Sequence, residues 1–212
     1  DLSNKEFRWM RGKSIEVSGI PLHALRVSYV GELGWELHHS IEYQNKLFDA
    51  LFAAGADLGL KPFGIRAMDS MRLEKSYRMI GTELSIEYSA FESVLDRFIN
   101  LEKGDFLGRQ ALLERQSAGL KSQLVTLAVK DAVDADALGN NALTRDGQLV
   151  GRATSGGFGF RVNQSLVMGM VEPAYARLGT EMTIEILGKL YPAVVVGESP
   201  YDPENLRLRH NQ

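Results

Sequence analysis

The chain has 212 residues, 44% of them hydrophobic and 24% charged, which is enough apolar material for one large core or two small ones. A net charge of -3 offers no basic field to a polyanion, so neither nucleic acid nor an anionic membrane is an expected partner. The absence of cysteine excludes disulfides, thiolate nucleophiles and cysteine-ligated metals, and no apolar run approaches the ~20 residues of a membrane-spanning helix.

A cytoplasmic location fits these features. Residues 1–10 start without methionine and place Phe7, Trp9 and Met10 among polar neighbours, so they read as the interior of a longer polypeptide. Ser14 to Val17 and Leu22 to Val30 alternate apolar and polar residues and predict two strands joined through Gly19, Ile20 and Pro21. Arg26 to His38 then reads as a hairpin, with Gly31 and Gly34 permitting a tight reversal around Glu32 and Leu33. Such a turn would set Tyr29 beside Glu36 on adjacent strands. A carboxylate there can accept two parallel N–H bonds from the amidine-like edge of a flat heterocycle; equally, the segment can be an ordinary hairpin with a surface glutamate. His38 and His39 have no partner at metal-ligand spacing and suit a strand end.

Ser40 offers a cap for an amphipathic helix over Glu42 to Ala54, whose Leu47, Phe48, Leu51 and Phe52 share a face, ending near Gly55 or Gly59. A second helix follows in Lys61 to Lys75, with Pro62 at its entrance. Its Arg66, Asp69, Arg72 and Glu74 lie among apolar residues, so some of them must be partly buried and paired, as in a structural ion network of Arg66 with Asp69 and Arg72 with a carboxylate elsewhere. Ser89 to Asn100 fits helix or bent strand. A short helix should begin in the stretch from Leu101 to Leu112 and run to about Gln116, and Ser117 to Gly119 then marks a boundary, dividing the chain into 1–117 and 118–212.

Lys121 to Lys130 alternates as a strand. Asp131 to Asn141, with three aspartates, is a solvated loop without the spacing of a calcium loop. Asp146-Gly147 is a hairpin turn between Ala142 to Arg145 and Gln148 to Ser155. The glycine-rich Thr154 to Phe160 opens no helix and so is no phosphate cradle; it reads as a bent strand. Met168 to Val171, Glu181 to Leu187 and Ala193 to Val196 supply further strands with turns at Gly179 and Gly188. Five or six strands so spaced make a small barrel or curled sheet. A turn at Ser199 to Pro203 and a basic tail of Arg207, Arg209 and His210 end the chain.

Several of these blocks together resemble one family. Tyr29-Val-Gly-Glu-Leu-Gly-Trp-Glu36 is similar to the Tyr-x-Gly-Glu-x-Gly-x-Glu signature of the folate-binding aminomethyltransferases, the glycine cleavage T-protein family. Asp69, Arg72, Leu73 and Glu74 match the family's Ala-Arg-Asp-x-Leu-Arg-Leu-Glu helix, Leu101 to Leu112 resembles its Lys-x-x-Phe-x-Gly-x-x-Ala-Leu stretch, and Thr154-Ser-Gly-Gly157 with Ser165-Leu-x-Met-Gly169 follows in the family's order. The wording Leu73-Glu-Lys-Ser-Tyr-Arg78 is similar to the folate domains of flavin-dependent dimethylglycine and sarcosine dehydrogenases.

The resemblance implies an α+β fold: the C-terminal portion of the T-protein folate-binding domain over 1–117, which includes a strand within 89–100, and the family's antiparallel β-barrel domain over 118–212. It further implies a tetrahydrofolate pocket using Tyr29, Glu36 and Tyr77, and one-carbon transfer from a methylated amine. FAD would be carried by an N-terminal part that, with the family's acid/base aspartate, is missing, so that this piece alone is catalytically inert. At the place of the family's folate-contacting arginine stands Met68, and Arg66, two residues away, is turned by about 200° around a helix, so that contact is not carried over. Three readings follow: the folate part of an N-methyl amine dehydrogenase, a stand-alone aminomethyltransferase or demethylase, and a non-catalytic folate-binding module.

Overall fold

In the computed structural model, which describes residues 1–132 and 135–209, β1 (Gly12–Val17) and β2 (Ile20–Leu25) pair antiparallel with Val17 opposite Ile20. The two connecting residues, Ser18 and Gly19, both take left-handed φ, 52° and 74°, the geometry that matches the twist of a two-residue hairpin. β3 (Glu36–His38) pairs with the other edge of β2 over three residues, Leu25 opposite Glu36. The pleat sends Ile20, Leu22 and Ala24 inward, where they meet Phe7 and Leu47 with Trp35 and Tyr43 packed alongside.

Leu47 comes from α1 (Gln44–Gly55), which is entered through a 3-10 turn at Ile41–Tyr43 and left through another at Ala56–Leu58, stopping at the left-handed Gly59. The second helix, α2 (Ile65–Leu73), starts later than the sequence pattern implies. Pro62 lies outside it, and the Gly64 carbonyl accepts the first turn's N–H groups from Ala67 and Met68 at 3.1 and 3.2 Å.

Two compact units result: residues 1–69 together with the end of the chain from Glu204, and Ser70–Pro203. In the first, the end of the chain is not a loose basic tail. Leu208 is buried, the Arg209 guanidinium lies 5.2 Å from the Trp9 ring centroid, Asn4 donates to the Arg209 carbonyl at 2.8 Å, and Arg207 reaches Glu32 at 3.7 Å. His210, also placed in that tail, and Asp134 of the acidic loop lie outside the described residues.

The second unit holds α3 (Arg109–Ala118) and six strands: β4 (Gln123–Val129), β5 (Ala142–Arg145), β6 (Gln148–Gly159), β7 (Gln164–Val171), β8 (Glu181–Ile186) and β9 (Lys189–Val196). They close into an antiparallel barrel in the order β4-β7-β6-β5-β8-β9, which leaves no sheet edge exposed. Asp146 and Gly147, both at left-handed φ, form the β5–β6 turn. Val125, Leu127, Val129, Leu143, Val167 and Ile184 are among the side chains that fill the interior. β4 is buried on its outer face as well, because Leu124, Met168 and Met170 are covered by Leu73 with Tyr88 and Val94.

The glycine-rich stretch is a continuation of β6, with a bulge where register shifts between Ala153 and Ser155. A Cβ on Gly156 would sit 2.4 Å from the Ala137 carbonyl oxygen, so glycine lets that loop lie against the strand. Residues 89–100 form turns and a 3-10 turn at Asp96–Phe98; the strand that the resemblance implies there is not formed.

Candidate functional site

The signature block does not make a two-glycine hairpin. Arg26 to Trp35 is a ten-residue loop between β2 and β3, with Gly31 at φ 79° and Gly34 absent from the left-handed residues. β3 pairs with β2 only from Glu36 onward, so the chain takes the longer path. Two residues not singled out above pin its ends. Arg26 is buried, donates from Nη1 to the Phe7 carbonyl at 2.5 Å, and stands 5.7 Å from the Trp35 ring centroid. An arginine continuing the apolar alternation of Ile20, Leu22 and Ala24 is the signal that could have marked it.

Within this frame Tyr29 is half-buried in the loop rather than on a strand. Glu36 opens β3, its carboxylate 51% exposed and 3.1 Å from His38 Nε2. It is therefore available as an acceptor at the surface.

The charged residues of α2 divide by role. Arg66 is exposed and Met68 half-buried. Arg72 and Glu74 are fully buried, as their apolar surroundings require. Arg72 donates to Ser155 Oγ at 2.9 Å and the Tyr77 carbonyl at 3.1 Å, and lies 3.5 Å from Glu83. Glu83 accepts from Ser155 Oγ, Thr82 Oγ1 and the Met79 N–H at 2.6, 2.7 and 2.9 Å. Glu74 pairs with Arg161 and also accepts the Arg161 N–H at 2.6 Å. The Arg72–Ser155 bond ties the end of α2 to β6, and the Glu74–Arg161 pair ties the residue after α2 to the β6–β7 connection.

Tyr77, in the second unit, is half-buried. Burial, then the Asp202 carboxylate, pushes its phenol above the ordinary 10.0 against the opposing pull of Arg97, so at neutral pH it is an O–H donor. Beside it the buried Lys75 donates to the Tyr201 and Asp202 carbonyls at 3.0 and 2.6 Å, holding the turn near the chain's end. Glu198 grips Arg97 at 2.9 and 3.0 Å and Arg78 at 2.5 Å. Tyr29 and Glu36 thus share the first unit, and Tyr77 belongs to the second.

Burial alone would raise the Glu83 and Glu198 carboxyls. Hydrogen bonds from Ser155 and its neighbours to Glu83, and from Arg97 and Arg78 to Glu198, outweigh it and hold both below the ordinary 4.5. Each folded carboxyl therefore titrates below its unfolded counterpart. The stability it contributes is complete above about pH 4.5 and is lost as pH falls through the folded value. The urea midpoint of the chain, followed by far-ultraviolet circular dichroism, which reports the barrel strands, between pH 7 and 3, is expected to fall steadily below pH 4.5. It should fall less steeply in Glu83→Gln; an identical slope would remove Glu83 from the acid response.

A loop-bearing α+β region followed by a closed six-stranded barrel defines the class of the aminomethyltransferases. The solved glycine cleavage system aminomethyltransferase T from Bartonella henselae superposes with a TM-score of 0.81 at 25% identity, over 96% of this chain and 54% of that one. The chain belongs to the glycine cleavage T-protein family: the GCVT N-terminal domain matches residues 1–103 and the glycine cleavage T-protein C-terminal barrel domain matches residues 123–202. It is 40% identical over 199 residues to mitochondrial dimethylglycine dehydrogenase of Homo sapiens, covering 93% of this chain and 23% of that protein. To mitochondrial sarcosine dehydrogenase of Mus musculus it is 36% identical over 218 residues, covering 99% of this chain and 23% of that protein. It thus spans less than a quarter of those dehydrogenases. No helix among the described residues is long and apolar enough to cross a membrane.

Proposed function

We propose that the chain is the folate-handling part of a one-carbon transfer module in a flavin-dependent N-methyl amine dehydrogenase of the dimethylglycine and sarcosine type. Higher identity to those dehydrogenases than to the stand-alone aminomethyltransferase T supports this, as does the Leu73 to Arg78 wording. The observation that carries the ligand assignment is the solvent-reachable Glu36 carboxylate at the end of the signature loop.

Tetrahydrofolate, when bound, supplies the nitrogen nucleophile that accepts the one-carbon unit. Glu36 would accept a pair of N–H bonds from the pterin edge and Tyr29 would offer a half-buried ring and hydroxyl from the loop, while Tyr77 is assigned to folate by its place in the family's motif alone. Holding the nitrogen in place and excluding water is the contribution expected of such a scaffold. FAD, the methylated amine and the acid/base aspartate belong to the rest of the same polypeptide, which together with folate makes up the set of partners; nucleic acid and membrane are not among them. The proposed setting is a reducing aqueous compartment, the cytoplasm in the reading above, whereas the animal dehydrogenases are named mitochondrial.

In the full polypeptide, Glu36→Gln is expected to weaken tetrahydrofolate binding by about 1.5 to 3 kcal/mol, the range for a hydrogen bond to a charged group, or roughly 10- to 150-fold in Kd. Calorimetric titration measures it, and unchanged affinity removes Glu36 from the pocket. The match to the Bartonella henselae protein favours a stand-alone aminomethyltransferase as second reading. A Gly-x-Gly-x-x-Gly strand-turn-helix near the start of the reading frame separates the two.

A further inference from the structure

Helix α1 carries more apolar surface than its own unit covers. Of the face predicted to be buried, Leu47 alone is enclosed; Phe48 is 53% and Leu51 38% exposed, and the Phe48 and Phe52 rings stack at 4.3 Å. Positions 48, 51, 52 and 55 follow the i, i+3, i+4, i+7 spacing of one helix face. At the last of them, Gly55, the Leu60 side chain fills the place a Cβ would take, 2.6 Å away, and is itself 46% exposed. The stripe thus runs two turns along the helix and off its end without a charged residue. Beneath it, the unit has a three-stranded sheet and a cluster of five fully buried apolar side chains, a small core for a fold of this length. A contiguous exposed apolar stripe of this kind marks an interface, and stacked aromatics are the usual anchors of one.

We infer that this stripe is the seat of the part of the aminomethyltransferase module that this chain does not contain, carried on the same polypeptide. The inference rests on the reading of the chain as part of a longer module. Its support is length: the chain accounts for 54% of the solved aminomethyltransferase it superposes on, so a segment nearly as large as itself completes that fold. A bare apolar stripe also lacks the convergent polar groups that orient a small ligand.

The absence of cysteine from this chain allows a direct test, in which a thiol is placed by Phe48→Cys both in this chain and in the full polypeptide. Alkylation at position 48 is followed by peptide mass spectrometry, with hydrogen exchange of 44–55 measured in the unsubstituted proteins. Slowing of roughly tenfold or more in the monomeric full polypeptide, with matching amide protection, is expected. Equal labelling in both, or protection that appears only when two copies associate, overturns the inference while leaving the longer module intact. An intact mass showing that the polypeptide has no further segment overturns the underlying reading as well.

Discussion

Arg72→Met is expected to destabilise the second unit by about 3–5 kcal/mol, the cost of leaving a buried charge without its partner. Glu83 is completely buried, and with Arg72 gone it keeps three hydrogen-bond donors, Ser155, Thr82 and the Met79 N–H, but no cation. The donors solvate the carboxylate only in part, while the Tyr77 carbonyl and Ser155 hydroxyl each lose a donor. Combining Arg72→Met with Glu83→Gln removes the unpaired charge, so the double variant should recover part of the loss. Urea unfolding of the two singles and the double forms a cycle that isolates the pair. A single-variant loss within about 0.5 kcal/mol, the range for substitutions outside such networks, would show that the Arg72–Glu83–Ser155 network does not hold the second unit together.

Leu127→Ala should cost about 2–5 kcal/mol, through lost transfer energy and the cavity left in a closed barrel whose strands cannot collapse inward independently. Leu127 has no exposed surface and lies among Val125, Val129 and Ile184. Leu124, on the opposite face of β4, gives the sharper comparison. On a barrel with a solvated exterior, Leu124→Ala would be a surface change worth about 0.5 kcal/mol or less. Since Leu73 and the Met168–Met170 face cover it here, its loss should fall in the same range as that of Leu127. Denaturant midpoints for the two variants decide whether β4 is buried on both sides.

These two sites also show how far the sequence can be read. Alternation over 123–129 identified β4, and Asp146-Gly147 the β5–β6 turn, because strand period and turn chemistry are local, whereas the first turn falls at Ser18-Gly19, with Ile20 and Pro21, expected in the connection, already in β2. The spacing of strands beyond Gln123 led to a small barrel, and closed it is. That Arg72 needed a distant carboxylate followed from its apolar neighbours. Its finding one in Glu83, with Ser155 between them, depended on a strand 83 residues away.

The signature loop went the other way. Two glycines three apart allow a hairpin, yet whether one forms depends on the partner strand, and β3 pairs only from Glu36 onward. Tyr29 is thereby left in a loop while Glu36 stays on the sheet.

The change from helical to alternating pattern at Ser117 to Gly119 is visible in the chain. The two matched family domains lie on either side of it, ending at 103 and starting at 123, while the compact units divide inside α2, where Leu73 joins Tyr88 and Val94 over β4 and β7. By itself, then, the order of residues determined most of the barrel strands and the Asp146-Gly147 turn, the class of fold and the family, all of which rest on contacts within a few residues or on motifs read in sequence. Only the tertiary structure decided which charges are clamped, which face of α1 is left bare and where Tyr29, Glu36 and Tyr77 fall, since each depends on burial against segments far along the chain, and burial sets both the cost of a charge and the gain of an apolar contact.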